Sequence, residues 1–213
     1  EPHAAVADTT PDGRSTLWCS SQGHFAMRGY TATVLGWEQT RLKVIAAEIG
    51  GGFGGKTVIY LEPLAVRLSQ KAGRPVRLVM SRDEVLRASG PTSGSRMTVK
   101  VGAKNDGTLT AATVWMAFEA GAYPGSPVGA ASMTALASYK LTNFKIEGFD
   151  VVVNKPKVAA YRAPGAPISA FGVESVLDEV AIGIGMDPID FRLLNAVSEG
   201  DQATYGPKFP RIG

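Results

Sequence analysis

The sequence predicts an α+β fold, a mixed sheet with antiparallel hairpins and packed helices, on three observations. Two pairs of strand-like runs flank the turn signals Pro11-Asp12-Gly13 and Asn105-Asp106-Gly107, and a hairpin sets its two strands antiparallel. Stretches of helical periodicity lie between and after them, such as "VIYLEPLAVRLSQKAG", whose Leu61, Leu64, Ala65 and Leu68 follow the i, i+3, i+4, i+7 spacing of one helix face. Strands and helices are interspersed, yet two hairpins rule out a purely parallel sheet.

Taken in order, "HAAVADTT" and "STLWCSS" form the first hairpin, and "FAMRGYTATVLG" is a helix stopped by Gly36. "RLKVIAAEI" reads as a strand running straight into a glycine-rich loop. In the helix that follows, Pro63 falls in the first two turns, where a missing amide is best tolerated. Gly73 ends it, and "PVRLVM" reads as a buried strand. Ser81 with Glu84 three residues on is a helix-starting capping box. "RMTVKVGAK" and "TLTAATVWMAFEAGAY" make the second hairpin, residues 124–138 read as a loop or a short helix, and "NFKIEGFDVVVN" is a strand. A proline-rich connector, "KPKVAAYRAPGAP", leads into the helix "ISAFGVESVLDEVAIGIG". Asp187 then caps, and Pro188 opens, a last helix. The whole is read as a single domain over residues 1–213.

At 213 residues and 45% apolar composition the chain can bury a substantial core. Its 22 basic and 19 acidic residues are scattered without blocks, which argues against a nucleic-acid footprint. Cys19 is the only cysteine, so neither an internal disulfide nor a cysteine-held iron–sulfur cluster can be built within this chain. No apolar run approaches the ~20 residues of a membrane span and no leader pattern opens the sequence. The abrupt start and finish are read as those of a piece of something longer.

Three short stretches carry the functional signal. In "EIGGGFGGKTV", Gly50 and Gly55-Lys56-Thr57 satisfy G-x-x-x-x-G-K-[ST], the phosphate-cradling loop of nucleotide hydrolases. A P-loop-type nucleotide-binding module is therefore one reading. Against it, Phe53 sits where a wrapped phosphate needs room, and Asp150, the only aspartate on an apolar strand, points sideways. The other readings are close helix–sheet packing and a loop that brings its backbone against a flat ligand. The second stretch, "VAAYRAPGAPISAF", fixes Arg162 between Tyr161 and two prolines, which hold the loop to one shape. In the third, Gln22 lies between a strand and a helix, at the end of "LWCSSQ".

The order "LWCSSQ", "GGGFGGK", "RPVRLVMSRDE", "AAYRAPGAP" and "ESVLDEVAIGIGMDPIDFRLLN" resembles the molybdopterin-binding large subunit of the xanthine dehydrogenase and aldehyde oxidase family, over essentially the entire chain. The resemblance implies a pterin-facing glycine loop and makes the nucleotide-loop match coincidental. It implies cofactor-binding roles for Gln22, near an apical oxo ligand of the metal, for the backbone of Gly52, Phe53 and Gly54, and for Arg162, with Tyr161 supporting that loop from behind. No residue of the chain is implied as a direct metal ligand. The reaction implied is oxidation of an aldehyde or N-heterocycle with a water-derived oxygen. The family's catalytic glutamate is expected beyond residue 213, with Glu174 and Glu179 as structural helix residues, so the isolated piece is expected to be inactive.

Departures from the family pattern bear on the substrate pocket, for which Thr57, Ala163 and Pro164 are the candidates. Thr57 stands where purine-hydroxylating members carry a glutamate, residues 124–138 offer no substrate-anchoring arginine, and Pro164 replaces a stacking phenylalanine. Ala163 stands where carbon monoxide dehydrogenases carry a copper-binding cysteine. The resemblance further implies molybdopterin, in its mono- or dinucleotide form, as cofactor. It also implies iron–sulfur clusters and FAD on partner chains or domains, the remainder of the large subunit as a further partner, a small-molecule substrate and a cytoplasmic location.

Overall fold

A computed structural model describes residues 1–212, which fall into two compact units. The first comprises residues 1–92 and 156–162. Its hairpin forms where the sequence places it: β1 (Ala4–Thr9) and β2 (Ser15–Cys19) run antiparallel around the Pro11-Asp12-Gly13 turn. α1 (His24–Leu35), stopped by Gly36 in the left-handed conformation, returns the chain so that β3 (Leu42–Ala46) lies parallel to β2. α2 (Glu62–Ala72) and β4 (Val76–Val79) complete a four-stranded sheet in the order β3-β2-β1-β4. Burial alternates along β1, the period-two signature of a sheet covered on one face. Ala5, Ala7, Leu17 and Cys19 pack inward with Met27 of α1 and Ala65 and Val66 of α2.

One expectation needs correcting here. β4 is not a buried strand but an edge, paired only with β1, and Val79 is 48% exposed. An apolar run of four residues looks the same for a central strand and for an edge strand that half-buries every second side chain. After β4, α3 (Arg82–Ala88) begins with both halves of the predicted capping box, Ser81 Oγ accepting from the Glu84 amide and Glu84 accepting from the Ser81 amide.

The second unit comprises residues 93–155 and the chain from 163 onward. β5 (Ser95–Ala103) and β6 (Leu109–Gly121) form the second hairpin, and β7 (Phe144–Val152) adds parallel to β6. The stretch 124–138, read from sequence as a loop or a short helix, contains a short helix, α4 (Val128–Thr134). α5 (Ala166–Gly183) and α6 (Pro188–Asn195), the latter capped by Asp187, finish the unit. Val114, Met116 and Phe118 from the inner face of β6 pack with Val173 and Leu177 of α5 and Phe191 of α6. Both sheets are mixed, each combining an antiparallel hairpin with one parallel neighbour.

Candidate functional site

The glycine loop occupies the span between β3 and α2, and polar groups from three other parts of the first unit hold it. Gln22 crosses it: its side-chain Oε1 accepts from the amides of Gly54 at 2.9 Å and Lys56 at 3.2 Å, while its own amide donates to the Lys56 carbonyl at 3.0 Å. Two donors on the oxygen fix which way the carboxamide faces. Nε2 and its two hydrogens are therefore directed away from the loop, on an exposed residue.

Only glycine permits this arrangement at position 52, because a Cβ there would stand 2.5 Å from the Gln22 oxygen. At Gly54, with φ near +99°, a Cβ would stand 2.6 Å from the carbonyl oxygen of Ala160 in the proline-rich connector. Gln22, the glycine loop and the connector, separated widely in sequence, are thus packed together within one unit. Between the two glycines Phe53 also takes a positive φ, 51°, and leaves its ring 59% exposed. A bulky residue in that region costs on the order of 1–3 kcal/mol, which the bonds on either side must offset.

Around the loop lie further residues, among them Glu1, His3 and Tyr60, which the sequence reading left unassigned. Lys56 is 2% exposed, its Nζ 2.7 Å from a Glu1 carboxylate oxygen that also accepts from the Gly50 amide at 2.7 Å. The hydrogen bond from Lys56, with that from Gly50, holds the Glu1 carboxyl below the usual carboxylate range. His3, 6% exposed, donates from Nε2 to the Gly55 carbonyl at 3.2 Å and meets Tyr60 edge to face. The Thr57 hydroxyl donates to the Gly54 carbonyl at 2.7 Å. Glu1 and His3 lie about fifty residues before their partners, so no local pattern marks them.

These contacts overturn the nucleotide-loop reading. The amides of Gly54 and Lys56 are already bonded to Gln22, and the lysine ammonium is buried in an ion pair. The threonine hydroxyl is committed to the loop itself, and α2 starts only at Glu62. Asp150 accepts from the amides of Gly125 and Ser126, capping the turn before α4.

The connector also departs from expectation in one respect. Tyr161 is 62% exposed, and the residue that meets the glycine loop is its neighbour Ala160. Arg162 ends the segment assigned to the first unit, with its side chain exposed. Ala163, at φ 55°, and Pro164 belong to the second unit, where the Ala163 carbonyl accepts from the Ala166 amide at the start of α5. Glu174 has the structural place expected of it: both oxygens accept from the Tyr139 hydroxyl and one also from Arg192 Nε at 2.8 Å, while Arg192 reaches Asp178 at 2.7 Å. Burial and the Glu174 carboxylate push the Tyr139 phenol well above its ordinary range.

Among the described residues no group of three or more histidines, cysteines or carboxylates is placed to hold a metal. The Cys19 thiol is buried, and burial pushes its pKa up to about 11, so it is a core residue and not a reactive one. Whatever this site binds must be held largely through backbone approach and hydrogen bonds.

Residues 1–196 match the family model of the molybdopterin cofactor-binding domain. The chain belongs to that family. It is 32% identical over 209 residues to the nicotinate dehydrogenase large molybdopterin subunit of Eubacterium barkeri, covering 97% of this chain and 49% of that one. Among solved structures it resembles the aldehyde oxidoreductase of Desulfovibrio gigas, at 31% identity and a TM-score of 0.87, over 98% of this chain and 23% of the other. The quinoline 2-oxidoreductase of Pseudomonas putida 86 matches at 26% identity and a TM-score of 0.89, over 99% of this chain and 28% of that one. This molybdopterin cofactor-binding domain therefore spans between about a quarter and a half of the length of these relatives. The mixed-sheet α+β architecture is the one these structures share.

Proposed function

We propose that residues 1–213 act as one cofactor-binding domain, made of two structural units, in a longer molybdenum hydroxylase that oxidises an aldehyde or an N-heterocycle. The observation that carries this reading is the pinned carboxamide of Gln22, whose oxygen is held by the loop amides so that its NH₂ is presented outward from the loop. A donor fixed in this way suits a polar ligand of a bound metal, because its orientation is set before the ligand arrives. The residues present fit a molybdopterin: a backbone cleared of side chains at Gly52 and Gly54, an exposed aromatic ring, an oriented donor, and no competing set of metal-ligating side chains among the described residues. When bound, that cofactor supplies the redox chemistry by which a water-derived oxygen enters a C–H bond.

In this reading Gln22 donates toward the cofactor, the backbone of Gly52, Phe53 and Gly54 lies against it, and the Phe53 ring keeps water away. Arg162 faces the cofactor from the connector. Thr57 contributes its methyl group to the substrate pocket, since its hydroxyl is engaged. The base lies beyond residue 213, in keeping with a Glu174 that is already bonded through both oxygens. Iron–sulfur clusters, which a chain with one cysteine cannot itself hold by cysteine ligation, and a flavin sit on partner chains or domains, and the whole works in the cytoplasm.

The test is molybdenum per protein in the full-length parent, by elemental analysis, for two variants of the loop. Phe53→Leu keeps the path of the backbone and retains most of the metal. Gly54→Val cannot keep Ala160 where it is, and loses it. Full molybdenum in Gly54→Val would withdraw the loop from the cofactor site.

A further inference from the structure

A second concave site lies in the first unit and plays no part in the cofactor reading. A cavity of about 260 Å³ is lined by His24, Phe25 and Arg28 of α1, by Gln39 and Thr40, and by Lys43 with Leu42 and Val44 of β3. Its polar lining carries two permanent cations, an imidazole, an amide and a hydroxyl, and no carboxylate. Glu38, which accepts from the Thr40 hydroxyl at 3.3 Å, does not line the cavity.

Arg28 makes the site unusual. Its Nη2 donates to Gln39 Oε1 at 3.3 Å, but its Nε is buried and meets no acceptor. A buried donor on a charged group without a partner is costly, and such groups are rare enough in folded proteins to call for an explanation. Gln39, having given its oxygen to Arg28, has only its amide donors left to offer. The remaining cation, Lys43, is not paired within the cavity, and the start of α1 adds its partial positive charge to the same side. The Lys43 ammonium and the Gln39 amide hydrogens thus have no acceptor among the described residues, and an oxyanion supplies several. His24 and Phe25 stack with ring centroids 4.3 Å apart, and Phe25 is 72% exposed. This places an aromatic wall beside the cations. The volume falls below the roughly 300–1,000 Å³ that drug-sized ligands occupy, so the guest is small.

We propose that this cavity binds a small phosphate monoester, its phosphate between Arg28 and Lys43 and a flat organic body against His24 and Phe25. Arg28 donates from its Nη groups, Lys43 from Nζ and Gln39 from Nε2. The reading stands independently of the cofactor site.

Titration calorimetry on the chain at low salt tests it, with inorganic phosphate, phenyl phosphate and phenol as probes. Both phosphates are expected to saturate the chain at one site, phenyl phosphate severalfold more tightly, and phenol to give no heat. Arg28→Gln and Lys43→Gln are each expected to weaken phosphate binding at least tenfold. Arg67→Gln, which removes a cation bonded to Gln70 on the exposed face of α2, should not. Lys43 is a surface residue of an edge strand, so its variant remains informative even where the Arg28 variant melts early by circular dichroism. Absence of saturable phosphate binding, or equal weakening in all three variants, overturns the site. Equal affinity for the two phosphates overturns the aromatic wall.

Discussion

Gln22 takes its orientation from amides thirty-two and thirty-four residues away, and this separates two roles that an alanine substitution would merge. Gln22→Glu keeps an oxygen to accept from Gly54 and Lys56 but exchanges the outward NH₂ for a second oxygen. Its thermal midpoint should stay near that of the parent while turnover falls about ten- to hundredfold, the equivalent of one hydrogen bond to a charged group at ~1.5–3 kcal/mol. A Gln22→Glu enzyme of normal rate would place that NH₂ away from the reacting centre. Lys56 and Glu1 make a separate prediction, in pH. The Glu1 carboxyl is depressed in the folded chain, so its contribution is fully present above its unfolded value, about 4.3, and is lost as pH falls through the folded value. The midpoint gap between parent and Glu1→Gln should accordingly hold constant from pH 5 to 7 and close in more acidic buffer. At this scale the sequence marks Gln22 and the glycines by type and position. It cannot mark Glu1, His3 or Ala160, because nothing local distinguishes a glutamate that meets a lysine fifty-five residues later.

Secondary-structure elements were legible wherever a local device fixes them. The capping box at Ser81, the proline at the start of α2 and the two turn signals act within four residues, and each lies where the sequence puts it. β4 was legible as a strand but not as an edge, since sheet order depends on which partners arrive from elsewhere. Asn195 is the counterpart among helix residues: read from sequence it is merely the end of α6. Yet its buried side chain accepts from the Leu109 amide at 2.9 Å and donates to the carbonyls of Gly107 and Phe191 at 2.9 and 2.8 Å, tying α6 to the hairpin turn. Asn195→Ala strands a buried amide and a carbonyl, each costing about 1–3 kcal/mol. Ser81→Ala removes one exposed cap, for about 0.5–2 kcal/mol. Urea denaturation should therefore rank Asn195→Ala as the more damaging. The reverse order would mean that the hairpin turn finds other partners.

For the molecule as a whole, the decisive physical fact is that the chain has two cores and not one. The sequence reads as a single domain because its proline-rich connector, "KPKVAAYRAPGAP", is short and looks like a rigid loop within one domain. The unit boundaries fall at Thr92/Ser93 and, inside that connector, at Lys155/Pro156 and Arg162/Ala163. Each core is closed by its own helices: α1 and α2 over the first sheet, α4 and α5 over the second. A cavity in one need not loosen the other. Leu17 is fully buried in the first core, and Leu17→Ala should cost about 2–5 kcal/mol. Followed residue by residue through hydrogen exchange under native conditions, that loss should appear as faster exchange across β1 to β3 and α2. The amides of β5 to β7 should keep protection close to the parent's. Equal acceleration in both sheets would show that the two cores open as one cooperative unit, and the single-domain reading would then hold for stability.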